Sequence, residues 1–215
     1  MEKLKAIIFD VDGTLANTVP LCVEAFRQAL EPQLHRSLSD EEIKAAFGPD
    51  EEGTMMAFHP PDLKRAMDDF MHYYMSLHAA MCSQPFDGIK NLLTALKSRG
   101  VCLAVATGKA KDTTELSLRR FNIIQYFDRI ENGSPEKSRK PEAIQQLVTA
   151  FGINKKETLY VGDSPGDVKE SHEAGIYVAG AAWAPSTDKE KLKAAKPDVL
   201  FDSVEDFAAW LAQRT

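Results

Sequence analysis

The chain has 215 residues, of which 44% are hydrophobic and 27% are charged. These fractions are ordinary for a globular protein, and the length allows one large domain or one domain with an insertion. The net charge of −6 leaves no basic excess for a nucleic-acid surface. It does not exclude a phosphorylated ligand, because a few local cations and a metal can reverse the sign of a small pocket.

The cysteines and the first residues bear on the cellular compartment. Cys22, Cys82 and Cys102 are odd in number, lie far apart and form no CxxC pair, so we expect free thiols in a reducing environment. The segment 1–10, MEKLKAIIFD, has too few apolar residues for a signal peptide or a membrane span. We therefore expect a cytoplasmic protein with no membrane partner.

Short apolar runs alternate along the chain with longer helical patterns, as in proteins that contain a parallel sheet. The strongest runs are nearly continuous in Ile, Val, Leu and Ala, which is typical of strands buried on both faces. The predicted strands span 4–9, 101–107, a weaker 126–131, 158–162, 176–181 and 198–201.

Helical patterns with recognisable ends lie between the later strands. Their predicted start and stop signals are Asp87 to Ser98, Pro141 to Phe151, Asp167 to Ala174, and a last helix capped by Ser203. Strand and helix in regular alternation predict an α/β fold, a Rossmann-like doubly wound parallel sheet with helices on both faces.

Residues 16–85 break this alternation, because they contain no convincing strand. Pro20 opens a helical pattern to about Leu30, and Ser39 with Glu42 forms a predicted capping box. An amphipathic run then follows two prolines and ends near Met81.

These patterns predict a core formed by residues 1–15 and 86–215, and an inserted all-helical cap formed by residues 16–85. The segment 83–88 is the expected return hinge, and the Gly- and acid-rich segment 47–55 is a candidate specificity loop facing the core.

Chemically active side chains gather where the predicted strands end, which is where ligands bind in open parallel sheets. Two carboxylates follow the first strand, a hydroxyl and a glycine follow the second, a lysine opens a later helix, and two carboxylates follow the fourth strand. These residues are Asp10, Asp12, Thr107, Gly108, Lys140, Asp163 and Asp167.

The spacing of this group suggests phosphoryl transfer. Clustered acids need a hard cation, and their oxygens suit Mg²⁺, which also accepts a substrate phosphate as ligand. Asp10 can attack phosphorus and form an acyl-phosphate, while Asp12, two residues on, returns to the same side and can protonate the leaving group. Thr107, nearby backbone N–H groups and Lys140 can hold the phosphoryl oxygens.

The motifs DxDGT, a strand-ending Thr-Gly, a downstream Lys-Pro and GDxxxD occur here in that order. They resemble the haloacid dehalogenase superfamily of phosphatases over essentially the whole chain, and the insertion resembles the helical cap of phosphoglycolate phosphatase-like members.

The resemblance implies a role for each matching residue. Asp10 would be the nucleophile and a metal ligand, and Asp12 the general acid/base with its backbone carbonyl on Mg²⁺. Thr107, Gly108 and Lys140 would bind phosphate. Asp163 would ligate the metal, and Asp167 would ligate it directly or hold a metal-bound water.

Several alternatives remain open at this point. Lys137 and Arg139 are also available near the lysine motif, and Lys140 is preferred because it directly precedes the proline that starts the helix. The expected substrate is a small phosphorylated metabolite of the phosphoglycolate type. Inorganic pyrophosphate, a sugar phosphomutase reaction and a non-catalytic phosphate-binding module are the alternatives, and the choice between monomer and homodimer stays open.

Overall fold

One parallel sheet forms the centre of the structure, which is a computed structural model describing residues 3–215. Within those residues the strands are β1 (Ala6–Phe9), β2 (Cys102–Ala106), β3 (Arg129–Glu131), β4 (Thr158–Gly162), β5 (Tyr177–Ala181) and β6 (Val199–Phe201). Their order across the sheet is β3-β2-β1-β4-β5-β6. The chain thus proceeds one way from β1 to β3 and the other way from β4 to β6. The direction reverses between β1 and β4, where ligands bind in folds of this kind.

The register aligns the carboxyl ends of the three central strands. Phe9, the last residue of β1, pairs with Val105 of β2 and with Val161 of β4. All four residues of β1 are buried, as expected for a strand covered on both faces. The loops that follow β1, β2 and β4 therefore emerge next to one another.

Helices cover both faces of the sheet. Their bounds are α5 (Ile89–Ser98), α6 (Lys111–Arg120), α7 (Lys140–Phe151), α8 (Pro165–Ala174), α9 (Lys189–Ala194) and α10 (Val204–Ala212). Ile7 and Phe9 point into the core built with α5, α6 and α10, whereas Ile8 points into the core built with α7, α8 and α9. The predicted α/β doubly wound fold is confirmed.

The helical insert, residues 16–85, contains α1 (Val19–Leu34), α2 (Asp40–Ala45), α3 (Glu51–Ala57) and α4 (Leu63–Met81). Helices α1 and α4 pack together through aromatic side chains, with the ring centroids of Phe26 and Phe70 4.4 Å apart. Both side chains are buried, and they belong to the same hydrophobic cluster as Ile7 and Phe9 of β1, so the insert and the core share one apolar interior.

The insert contacts the core through α4 and through the start of α3, among other places. On α4, the Tyr74 hydroxyl lies 2.8 Å and the His78 Nε2 lies 3.1 Å from the Ser117 hydroxyl of α6. At the start of α3, the Asp50 N–H donates to the Ser134 carbonyl at 3.1 Å. Gly53 packs so closely on the second contact that a Cβ there would lie 2.3 Å from the Pro135 carbonyl oxygen.

Several predicted element boundaries are wrong in detail. Helix α1 continues to Leu34 rather than ending near Leu30, with Pro32 in its last turn. Part of the segment 47–55, expected to be a loop, belongs to α3, and no helix was predicted at α6.

Two predicted caps also need correction. Asp87 does not cap α5, because Gly88 occupies that position in a left-handed conformation, with φ of 86°. Helix α8 begins before Asp167: Ser164 is its cap, and Asp167 is the partner in the capping box. The capping box of Ser39 with Glu42 and the cap at Ser203 are confirmed.

None of the helices in the described part of the chain is both long enough and apolar enough to cross a membrane. The three cysteines are free, as predicted.

His78 should make the stability of the fold depend on pH. Burial, with the positive charges of Arg120 and Lys109, lowers the pKa of His78 from 6.5 to about 4. As the pH falls, His78 is therefore protonated in the unfolded chain before it is protonated in the folded protein. The stability gained from neutral His78 is complete above about pH 6.5 and is lost on approaching pH 4.

We expect urea unfolding at pH 7.5 and 5.0 to show a smaller loss of unfolding free energy in His78→Gln than in the wild type. The expected difference is about 1 to 2 kcal/mol. His72→Gln, at an exposed position of the same helix, is the control and should behave like the wild type. An equal loss in all three proteins would contradict the assignment to His78.

Candidate active site

The loop that leaves β1 makes a tight turn beside a second loop. The Gly13 N–H donates to the Ala16 carbonyl at 2.9 Å, and Gly13 has a φ of 74°, which favours glycine. A Cβ at this position would lie 2.2 Å from Asp163 Oδ2. Glycine therefore lets the backbone after β1 approach the carboxylate that follows β4.

Asp10 lies at the end of β1 with both carboxylate oxygens engaged. Oδ1 accepts the Val11 N–H at 2.7 Å, and Oδ2 accepts the Lys140 ammonium at 2.7 Å. Burial and the negative charge of Asp167 raise the pKa of Asp10 to about 6, while the ammonium of Lys140 opposes the rise.

Lys140, the first residue of α7, places its ammonium between two acids. Its Nζ lies 2.7 Å from Asp10 Oδ2 and 2.5 Å from Asp167 Oδ1. Burial alone would lower the pKa of Lys140, but the charges of the two carboxylates outweigh it and raise that pKa well above its ordinary value. The competing candidate Lys137 is exposed and pairs with Glu142 on the surface.

Asp167 is fully buried, and four donors surround its carboxylate. Oδ2 accepts the N–H and the hydroxyl of Ser164 at 3.0 and 2.7 Å. Oδ1 accepts the ammonium of Lys140 and the Tyr160 hydroxyl, the latter at 3.1 Å. Burial alone would raise the pKa of Asp167, but the charge and hydrogen bond of Lys140 dominate and lower it.

Asp163 completes a cluster of acids. One oxygen each of Asp10, Asp163 and Asp167 lies within 4.8 Å of the others. Asp163 accepts the Thr187 hydroxyl at 3.0 Å, and burial with the charges of Asp167 and Asp10 raises its pKa well above the ordinary value. Three clustered carboxylates with a single lysine ammonium retain uncompensated negative charge, and their oxygens fit a hard divalent cation.

The side chain of Asp12 points away from this cluster, toward the insert. Its Oδ1 accepts the Thr18 hydroxyl, and its Oδ2 lies 3.2 Å from the Lys109 ammonium. Asp12 thus lines the same cavity as Asp10 and Asp163, next to Thr18 at the start of the first helix of the insert.

Thr107 and Gly108 follow β2 directly and line the same cavity as Asp10, whose pKa a hydrogen bond from Thr107 helps to lower. Thr107 is buried and its hydroxyl accepts the Lys109 N–H at 3.3 Å. The cavity bounded by these strand ends and by the insert has a volume of about 390 Å³. Six of the seven predicted site residues line it: Asp10, Asp12, Thr107, Gly108, Lys140 and Asp163; Asp167 lies buried behind Lys140.

Two further site residues were not singled out individually from the sequence: Lys109, and Glu51, which lies in the segment 47–55 that was expected to face the core. The Lys109 ammonium bridges Asp12 at 3.2 Å and Glu51 Oε1 at 3.1 Å. It also lies 4.8 Å from the ring centroid of Tyr74 and 3.3 Å from Cys22 Sγ. Lys109 is only 4% exposed, and three of the four groups named around its ammonium, Glu51, Tyr74 and Cys22, come from the insert.

Glu51, in the insert, forms an ion pair with Lys109 of the core. Its carboxylate accepts the Ala110 N–H at 2.5 Å and the Thr113 hydroxyl at 2.6 Å, both from the core. Burial alone would raise the pKa of Glu51, but Lys109 and these hydrogen bonds lower it. The position of Lys109 next to the strand-ending Thr-Gly was the available signal, but its partner lies 58 residues earlier in the sequence.

A family model described as haloacid dehalogenase-like hydrolase matches residues 7–181. The chain belongs to this family. The family expected from the motifs is therefore confirmed. The acidic site lies at the carboxyl ends of the parallel strands, where ligands bind in open parallel sheets.

Individual relatives carry two kinds of name. Pyrophosphatase PpaX of Bacillus pumilus is 29% identical over 216 residues, which cover 96% of this chain and 95% of that protein. Pyrophosphatase PpaX of Anoxybacillus flavithermus is 26% identical over 214 residues, with 97% of each chain covered. The structure of a predicted phosphoglycolate phosphatase from Haemophilus somnus matches with a TM-score of 0.82 at 26% identity, over 100% of both chains.

Replacing Lys140 should destabilise the protein in the absence of divalent cations, because Asp10 and Asp167 would lose their buried counter-ion. We expect Lys140→Met to lower the free energy of unfolding by about 2 to 4 kcal/mol in chelator. Lys137→Met is the control: its ammonium is exposed, and the expected change is below about 0.5 kcal/mol. Equal stabilities of Lys140→Met and wild type would refute the buried pairing.

Proposed function

We propose that the protein is a Mg²⁺-dependent phosphatase that hydrolyses a small phosphorylated metabolite through an aspartyl-phosphate. The observation that carries this proposal is the placement of Asp10: a buried carboxylate at the end of a central strand, next to a lysine ammonium and to two further carboxylates. Structural stability alone does not require such a concentration of buried charge at one edge of a sheet.

In the first step, an oxygen of Asp10 attacks phosphorus, and the bond from phosphorus to the leaving oxygen breaks. Asp12, which lines the same cavity and enters this step protonated, gives its proton to that oxygen. In the second step Asp12 takes a proton from water as the water attacks phosphorus, and the bond from Asp10 to phosphorus breaks. The products are the alcohol and inorganic phosphate.

The groups around Asp10 would hold the phosphoryl oxygens during transfer. The Thr107 hydroxyl, the Gly108 N–H and the Lys140 ammonium are the proposed ligands. Asp10, the backbone carbonyl of Asp12 and Asp163 would hold Mg²⁺, with Asp167 as a further ligand or as a partner of a bound water. The ion would supply the positive charge that the acid cluster and the phosphate require.

We further propose that residues 1–15 and 86–215 act as the catalytic core and residues 16–85 as a cap. The contacts of Glu51 and Tyr74 with the core support this division, because they enclose the cavity on the side of Asp12. Closure of the cap would exclude bulk water during transfer. The free cysteines support the proposed cytoplasmic location.

Two substrate classes follow from the motifs and from the names of the relatives. A phosphomonoester, such as the phosphoglycolate type expected from the resemblance, is the first. Pyrophosphate is the second, because the curated relatives of Bacillus and Anoxybacillus carry that activity in their names.

Replacing Asp10 by asparagine should abolish turnover. We expect Asp10→Asn to release no phosphate above background from a panel of small phosphomonoesters and pyrophosphate, whereas the wild type releases it with Mg²⁺ and not with chelator. Phosphate release would be measured colorimetrically, with circular dichroism to show that the variant is folded. Wild-type rates in a folded Asp10→Asn protein would exclude Asp10 as the nucleophile.

Replacing Asp12 should affect poor leaving groups most. We expect Asp12→Asn to lose about 10²- to 10⁴-fold in kcat on an alkyl phosphate, because the alkoxide needs a proton. The loss on p-nitrophenyl phosphate should be smaller, because its phenolate leaves without one. Single-turnover rates on the two esters would separate the steps, and equal losses on both would contradict the role of general acid.

A further inference from the structure

The charged residues that line the cavity indicate which kind of leaving group the site accepts. Resting on the proposed phosphatase function, we infer that the insert selects a leaving group that is uncharged or cationic and discriminates against an anionic one. The argument depends on which cations line the cavity and on what already neutralises them.

The insert contributes acids and apolar side chains to the wall next to Asp12. Asp50 and Glu51 are its charged residues there. Its other lining residues are Val19, Cys22, Phe26, Phe47, Gly48, Pro49 and Thr54. Among the described residues that line the cavity, no arginine or histidine occurs, and the cations are Lys109 and Lys140, both from the core.

Neither lysine is available to a second anionic group. Lys140 faces the phosphoryl side, where Asp10 and Asp167 hold its ammonium at 2.7 and 2.5 Å. Lys109 lies on the leaving-group side, but Asp12 and Glu51 both contact its ammonium, at 3.2 and 3.1 Å. Glu51 alone neutralises this ammonium when Asp12 carries the proton that it donates, and Asp50 keeps the local charge negative.

The two acids of the insert are fixed in place. Glu51 is 5% exposed and would have to leave the Lys109 ammonium, the Ala110 N–H and the Thr113 hydroxyl together. Asp50 is 7% exposed, and its side chain accepts the Gly53 N–H at 3.1 Å. An anionic leaving group would therefore meet negative charge that does not move aside without the loss of several hydrogen bonds.

The apolar part of the cavity wall also bears on the leaving group. Val19 and Phe26 contribute carbon surface beside Asp12. A leaving group of a few carbons with a hydroxyl or amino substituent fits this wall, whereas the carboxylate of phosphoglycolate and the second phosphate of pyrophosphate oppose its charge.

The first test compares three phosphate esters of equal length that differ in charge. These are 2-hydroxyethyl phosphate, phosphoethanolamine and 2-phosphoglycolate, with kcat/KM measured at pH 7.5 in Mg²⁺. We expect the neutral and cationic esters to exceed the anionic ester by at least about tenfold, since one like charge at this range costs that much. Pyrophosphate, assayed alongside, should be as poor as phosphoglycolate.

Two substitutions assign the discrimination to the insert. Glu51→Gln and, separately, Asp50→Asn should raise the kcat/KM of phosphoglycolate relative to 2-hydroxyethyl phosphate, by about tenfold for Glu51→Gln. Asparagine at position 50 can still cap the helix, so Asp50→Asn tests the inference even if Glu51→Gln does not fold. Glu52→Gln, exposed and next along the same helix, is the matched control and should leave the ratio unchanged.

A binding measurement tests the inference without turnover. 3-Hydroxypropylphosphonate, 3-aminopropylphosphonate and 3-phosphonopropionate replace the ester oxygen by a methylene group, and their affinities can be measured by titration calorimetry. The anionic analogue should bind at least about tenfold more weakly than the other two, and Glu51→Gln should reduce that gap.

The outcomes separate the two proposals. A preference for phosphoglycolate or pyrophosphate that Glu51→Gln leaves unchanged would overturn the inference, while the phosphate released would support the proposed function. If no ester of the panel released phosphate from the folded protein, the proposed function would fail. The order of phosphonate affinities would then decide the inference, since an equal or tighter binding of the anionic analogue would refute it.

Discussion

The charge balance around the Lys140 ammonium is the constraint on which the rest of the site depends. Asp10, Asp163 and Asp167 come from two different strand ends, and their oxygens lie within 4.8 Å of one another. Without a counter-ion, so many carboxylates would repel each other and lose hydration on burial. The first residue of α7 supplies one positive charge to two of the acids. The remaining negative charge explains why this edge of the sheet suits a divalent cation, and hence a phosphate that shares it.

A second buried lysine is paired with carboxylates where the core meets the insert. Lys109 of the core is enclosed by Glu51, Tyr74 and Cys22 of the insert, and it also contacts Asp12. A buried ammonium with carboxylates on both sides is stable only while the insert remains in place, because withdrawal of Glu51 would leave charge unpaired. The position of the insert and the environment of Asp12 are therefore physically linked.

The sequence predicts the site where local rules apply. Asp10 and Asp163 follow continuous apolar runs, so their strand ends could be located and expected to meet. The pairing of Lys109 with Glu51 was not predicted, although Glu51 lies in the segment expected to face the core, because no local pattern joins residues 58 positions apart. Helix α6 escaped prediction because it buries Thr113, Thr114 and Ser117 and has little apolar periodicity. The early start of α8 was missed because Ser164, the true cap, lies inside a motif interpreted for its aspartates.

The distribution of charge across the cavity gives the substrate a direction. One end holds Lys140 and an acid cluster fit for a cation, so a phosphoryl group is favoured there once that cation is bound. The other end presents Glu51 and Asp50, with the single lysine already paired. A molecule that is anionic at one end only can satisfy both ends in one orientation, and under the proposed function that orientation would place phosphorus beside Asp10 and the leaving oxygen toward Asp12. A molecule that is anionic at both ends is attracted at the end with the bound cation and is repelled at the end with Glu51 and Asp50. Relatives with the same core motifs can therefore differ in substrate through the charges that their inserts bring to this wall.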